Sequence, residues 1–222
     1  MNIKLFATAA ATATATAFLS LPVAAQTLKF GTDGIQFKKD TWLSFTFKED
    51  NGWFNSTLSV YEVLANGSTE LKGNLGGETI DGITSYTFTA GKIYTLGLTN
   101  YDPTTGAQVG RTIYTSTSLN WAYRNGGVGY QQSIFAQNGS LPVLTDGEAF
   151  GDAGLYTQAD PLTGTGARIA FEDSGLPFGP DRDYNDFVVQ VAPEPITVSG
   201  LALGGAGLFA ARRRRRSQRK QS

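Results

Sequence analysis

Between Arg168 and Val189 the chain gathers most of the side chains that could do chemistry. Glu172, Asp173, Asp181, Asp183 and Asp186 lie within fifteen residues together with Asn185 and a single cation, Arg182, a net charge of −4 over residues 172–186. Like charges held this close oppose folding unless a positive species joins them or water keeps them apart. The oxygen donors are hard, which is the chemistry of calcium. Asp181, Asp183 and Asn185 have the D-x-D-x-N alternation that opens an EF-hand loop, but Asp186 occupies its sixth position in place of glycine and Ala192 its twelfth in place of glutamate. The segment is therefore not an EF-hand. Two readings stay open from the residues alone. One is a calcium loop of Asp181, Asp183, Asn185 and Asp186, closed by Glu172 or Asp173. The other is an acidic, solvated hairpin loop in which Asn185 and Asp186 make turn hydrogen bonds.

The rest of the composition narrows the chemistry further. The chain has no cysteine, no histidine and one methionine, which removes disulfides, thiol nucleophiles, Cys/His zinc sites and histidine-based triads. There is no G-x-S-x-G and no Walker loop. A glycosidase would need two carboxylates about 5–10 Å apart across a cleft, and no feature of the sequence selects such a pair. The chain reads as a non-catalytic protein.

The acidic segment must be positioned by strands. Arg168 to Phe171 and Phe187 to Val189 alternate on either side of the Gly/Pro stretch Ser174–Pro180. If they pair, Glu172 and Asp173 approach Asp186, because facing Cα atoms lie ~4.5–5.5 Å apart. Leu43, Phe45 and Phe47 alternate with Ser44 and Thr46, and Leu58, Val60 and Leu64 with Thr57, Ser59, Tyr61 and Val63, the period of half-buried strands. Tyr86 and Phe88, then Tyr94, Leu96 and Leu98, flank Thr89-Ala90-Gly91-Lys92 and read as a hairpin with a glycine turn. Further strands are predicted at 111–117, 167–172 and 187–191, with one short helix around Gln131 to Ala136. Seven or more short strands without helical crossovers predict an all-β body: an antiparallel β-sandwich or jelly roll. Trp42, Trp53 and Trp121 read more readily as core residues than as exposed stacking platforms. Three N-x-S/T triplets, at Asn55, Asn66 and Asn138, read as turn or strand-edge residues.

Both ends of the 222-residue chain read as processing segments. Lys4, an uncharged run from Leu5 to Leu21, and Val23-Ala24-Ala25 form a secretory signal over residues 1–25 with cleavage after Ala25. Residues 26–192 form one domain with 10 basic against 18 acidic side chains, a net of −8, which argues against a nucleic-acid partner. After Pro193-Glu194-Pro195 comes an uncharged stretch, 196–211, and then a basic tail, 212–222, that includes five consecutive arginines. Sixteen residues span about 24 Å as a helix, short of the roughly 30 Å hydrocarbon core. Snorkelling arginines make a marginal single transmembrane helix. The positive-inside rule puts the tail in the cytoplasm and the acidic body outside. Gly200, Gly204, Gly205 and Gly207 loosen the helix and suit a temporary stop.

Val191-Ala192-Pro193-Glu194-Pro195, the Gly/Leu/Ala helix and the arginine run resemble the sorting signal of PEP-CTERM proteins. The resemblance implies processing near Pro-Glu-Pro by exosortase, a membrane transpeptidase-like protease, in a Gram-negative-type bacterium that makes exopolysaccharide and biofilm. The protein would then be held in the inner membrane, transiently or permanently, before reaching the surface or extracellular matrix. Phe171-Glu172-Asp173 and Asp181-Arg182-Asp183-Tyr184-Asn185-Asp186-Phe187-Val188 also resemble the C-terminal signature of a bacterial extracellular family of unassigned activity. Together they imply an exported, surface-sorted matrix or exopolysaccharide-associated protein. The alternatives are a calcium-dependent carbohydrate-binding module and, more remotely, a glycosidase-like enzyme.

Overall fold

In the computed structural model, the residues that can be described are 27–120, 131–137, 156–173 and 183–193. They form eleven strands: β1 (Thr27–Gly31), β2 (Gly34–Phe37), β3 (Thr41–Glu49), β4 (Asn55–Val63), β5 (Thr69–Gly76), β6 (Ile83–Phe88), β7 (Tyr94–Tyr101), β8 (Gln108–Tyr114), β9 (Ser133–Gln137), β10 (Ala167–Phe171) and β11 (Phe187–Pro193). Their one helical turn is the 3-10 segment Thr117–Leu119. No helix among them is long and apolar enough to cross a membrane.

The strands make two sheets, and every pairing is antiparallel. The first runs β1-β2-β7-β4-β5 with β8 also on β7, and the second runs β6-β3-β11-β10-β9. Alternation dictates which face each strand buries. Along β3, Leu43, Phe45 and Phe47 are buried while Ser44 and Thr46 face outward. Their rings meet Leu58, Val60, Leu96 and Leu98 of the first sheet in one apolar core. The inner faces of two antiparallel sheets thus share a single core, the arrangement of a β-sandwich. At Gly97 the backbone of β7 passes directly under Tyr61 and Thr112. A Cβ there would stand 2.5 and 2.8 Å from their side chains, which is why the position excludes even alanine without repacking.

Two local expectations are corrected. The segment 89–92 does not close a hairpin. β6 belongs to the second sheet and β7 to the first, so the connection crosses between them. Gly91 does take a left-handed φ of +76°, but its N–H donates to Phe37 O at 3.0 Å, tying the crossing to β2. The helix expected around Gln131 to Ala136 is β9, paired along its length with β10. Phe135 enters the main core and Ile134 a second cluster with Ala170, Tyr184 and Val188 on the other face of the sheet. A short apolar run buried on both faces carries no period that separates strand from helix.

Strand direction gives the sandwich two chemically different ends. β3, β7 and β10 finish, and β4 and β11 begin, at one end. Thr27, Thr41, Tyr94, Ala167 and Pro193 lie toward the other.

Candidate acidic centre

β10 and β11 pair in the register Phe171↔Phe187, so the residues just past this pair, Glu172 and Asp186, are brought together as their spacing predicted. Tyr184 then turns the chain. It holds a left-handed φ of +52°, uncommon for a residue with a bulky side chain. Its buried ring packs with Ile134, Ala170 and Val188, and its hydroxyl donates to Gln131 O at 3.0 Å. This turn returns Asp183 to the same place. Glu172, Asp183 and Asp186 are 1, 2 and 9 % exposed, and one carboxylate oxygen from each lies within 4.8 Å of the others. Oxygens bound to one calcium at about 2.4 Å lie at most ~4.8 Å apart, so the three fit a common hard cation.

Asp173 abuts Asp186. Its N–H donates to Asp186 Oδ2 at 2.7 Å, and its carbonyl accepts from Asn100 Nδ2 of the first sheet at 2.7 Å. Asn100 Oδ1 in turn accepts from Ser56 Oγ at 3.0 Å. The Asp173 carboxylate takes the Phe54 N–H, and burial, followed by the Asp186 charge, pushes its pKa up to about 7. Two of the buried side-chain atoms without a hydrogen-bond partner among the described residues belong here: Asp173 Oδ2 and Asn185 Oδ1. Both are oxygens of the kind calcium takes. An unmatched buried oxygen costs about 1–3 kcal/mol, more when charged.

The β3–β4 connection closes over this pair. A Cβ on Gly52 would collide with Asp173 Oδ2 and stand 3.2 Å from Asp186 Cβ, so the turn rests directly on the Asp173 carboxylate and the stem of Asp186. Asn51 Nδ2 donates to Asn185 O at 3.3 Å, and Gly52 N donates to Asp50 Oδ1 at 3.2 Å. Glu78, from the β5–β6 connection, accepts the Ser56 N–H and meets the Asp50 carboxyl. Burial raises the pKa of both these acids.

Of the six residues anticipated as calcium ligands, Glu172, Asp183 and Asp186 converge, and Asp173 abuts Asp186. Asn185 bonds Asp183 Oδ2 through its Nδ2 at 3.0 Å, and Asp181 lies outside the described residues. Also outside them are Ala25, Glu194, Pro195 and the stretches 1–25 and 196–222. Pro193 is the last residue of β11. Sequence reasoning missed Asp50, Gly52 and Glu78. They stand more than ninety residues from Glu172 in the chain, and no spacing links them. The expectation of core tryptophans is corrected for two of the three: Trp42 is 58 % and Trp53 80 % exposed, while Trp121 lies outside the described residues. Trp53 follows Gly52 at the acidic end. Trp42, second in β3, lies toward the other end, seven residue steps or about 23 Å of strand from Glu49.

A separate cavity of about 150 Å³ lies between the sheets, lined by Phe45, Phe47, Leu58, Leu75, Ile83 and Val189 among others. It carries no carboxylate. No family model, curated protein or solved structure matches the chain.

Proposed function

We propose that the protein is an exported, non-catalytic surface protein that binds extracellular polysaccharide with the acidic end of its sandwich, assisted by a calcium ion at Glu172, Asp183 and Asp186. The observation that carries this reading is the seating of the Trp53 turn on the acidic pair. An 80 %-exposed indole follows directly on Gly52, which touches Asp173 and Asp186. An exposed aromatic ring offers an apolar face to a sugar ring, and a cation at the neighbouring carboxylates would fix the turn that presents it. Signal removal after Ala25, membrane entry of 196–211 and exosortase-type processing near Pro193-Glu194-Pro195 complete the proposal. They place the body outside the cytoplasm, on the surface or in the matrix.

Calorimetric titration of the full chain in detergent with Ca²⁺, followed by a panel of polysaccharides with and without chelator, tests it. The expected result is saturable Ca²⁺ heat and a sugar signal lost on chelation and in Trp53→Ala. Absence of Ca²⁺ heat would end the calcium reading. A sugar signal that survives both changes would move the binding surface elsewhere.

A further inference from the structure

The end of the sandwich opposite the acidic centre has a chemistry of its own. β11 leaves the second sheet there: Pro193 pairs with Leu43, and the next position along β3 is Trp42, 58 % exposed. β1 enters at the same end, with Thr27 opposite Phe37. The connections 38–40 and 89–93 pack against one another beside these strands. Gly91 N–H donates to Phe37 O, Gln36 Nε2 to Gly91 O at 2.9 Å, and Ala90 N–H to Asp40 Oδ1 at 2.8 Å. Leu28 and Ile93 are 46 and 41 % exposed here. Lys29, Lys38, Lys39 and Lys92 are all exposed on the same end. Of the acids nearby, Glu62 is engaged by Lys92 at 2.9 Å, Asp40 accepts the Ala90 N–H, and Asp160 accepts from Thr27 Oγ1 at 2.8 Å.

We infer that this end is a lipid-facing surface that rests on the anionic phospholipid headgroups of the membrane entered by residues 196–211. The inference depends on the reading of that stretch as a membrane segment. Three residue steps separate Pro193 from Ile196, and an extended chain covers at most about 10 Å in that distance. The headgroup layer is itself roughly 5–8 Å deep on each side. A body tethered so closely by this strand end has that end within reach of the headgroups, and what the end carries decides whether it rests on them. What it carries is an exposed tryptophan, two exposed aliphatic side chains and a set of lysines. Indole rings settle at the membrane–water boundary, and lysines near the surface gain from anionic lipid. The opposite end, with Asp50, Glu78, Glu172, Asp173, Asp183 and Asp186, is turned away from the bilayer by the same geometry.

The chain has no cysteine, so single-cysteine labelling reads this directly. The full chain, carrying a fluorophore at Ala90→Cys, Thr104→Cys or Leu203→Cys, is reconstituted in vesicles of phosphatidylcholine and phosphatidylglycerol, 1:1. The vesicles contain lipid with a nitroxide either on the headgroup or deep in the acyl chain. Ala90 and Thr104 are both exposed, and Thr104 follows β7 at the acidic end. The expected result is several-fold stronger quenching by the headgroup nitroxide at Ala90→Cys than at Thr104→Cys. The pair Lys38→Glu and Lys39→Glu should remove most of that difference. Equal quenching at the two sites, while Leu203→Cys is quenched by the deep nitroxide, overturns the inference and leaves the anchor intact. A label at Leu203→Cys that the deep nitroxide does not reach overturns the anchor reading, and this surface with it.

Discussion

Asp173 donates its backbone N–H to the carboxylate of Asp186 and holds its own carboxylate beneath the Gly52 turn. One residue therefore links β10, β11 and the β3–β4 connection, and through its carbonyl it reaches Asn100 of the first sheet as well. The acidic centre and the joining of the two sheets share Asp186 and Asp173, so changes at one should be felt at the other.

The pH dependence follows from the Asp173 carboxyl. Its folded pKa of about 7 stands above the unfolded value of ~3.9. A carboxyl raised in this way contributes stability that is fully present below pH ~4 and is lost as pH rises through 7. In chelator, the melting temperature should fall between pH 5 and 7.5 from this group, and Asp173→Asn should flatten that slope. Calcium should raise the melting temperature more at pH 7.5 than at pH 5. A wild-type slope unchanged in Asp173→Asn would rule out Asp173 as its source.

Gly52 should tolerate no side chain. Gly52→Ala forces a methyl onto the buried Asp173 carboxylate and the Asp186 side chain, and overpacking of this kind costs about 1–3 kcal/mol. Chemical denaturation should show that loss. Combining it with Asp173→Ala should cost less than the sum of the two, since the second change removes the obstruction.

Asn100 is 2 % exposed and bridges Ser56 Oγ and Asp173 O. Asn100→Ala should destabilise the fold by about 1–3 kcal/mol, the cost of stranding buried polar partners. Because it frees the end of β10, it should also weaken calcium binding without touching a ligand. Calorimetry on the variant would show this as a raised Kd with unchanged stoichiometry.

Within the proposed ion site, Asp183→Asn keeps the shape of the side chain and removes its charge. Calcium affinity should drop at least tenfold, while the Asp173-linked pH slope in chelator persists. Equal affinities would place the ion elsewhere.

What could be read in advance was whatever the strands declare locally. The alternation of Leu43, Phe45 and Phe47 marks β3, and the approach of Glu172 to Asp186 follows once two neighbouring strands pair. Thr89-Ala90-Gly91-Lys92 misleads because Gly91 needs the same backbone freedom whether the flanking strands pair or part between sheets. Ile134-Phe135-Ala136 misleads because both faces of β9 are buried, which erases the period. Trp53 is exposed because the five-residue connection 50–54 must present its glycine, not its indole, to Asp173. The meeting of Gly52 with Asp173 depends on tertiary packing across 121 positions of chain, and no local pattern encodes it.

The place of β11 between β3 and β10 has a consequence in time. The chain's last described strand is central to the second sheet, pairing residues 188–193 with 43–49. Contacts of such sequence separation are slow to form. A chain emerging N-terminus first cannot close this sheet until nearly all of the body has appeared. Until then β3 and β10 lack the strand that joins them. Completion of the fold and arrival of the Pro193 end therefore become one event.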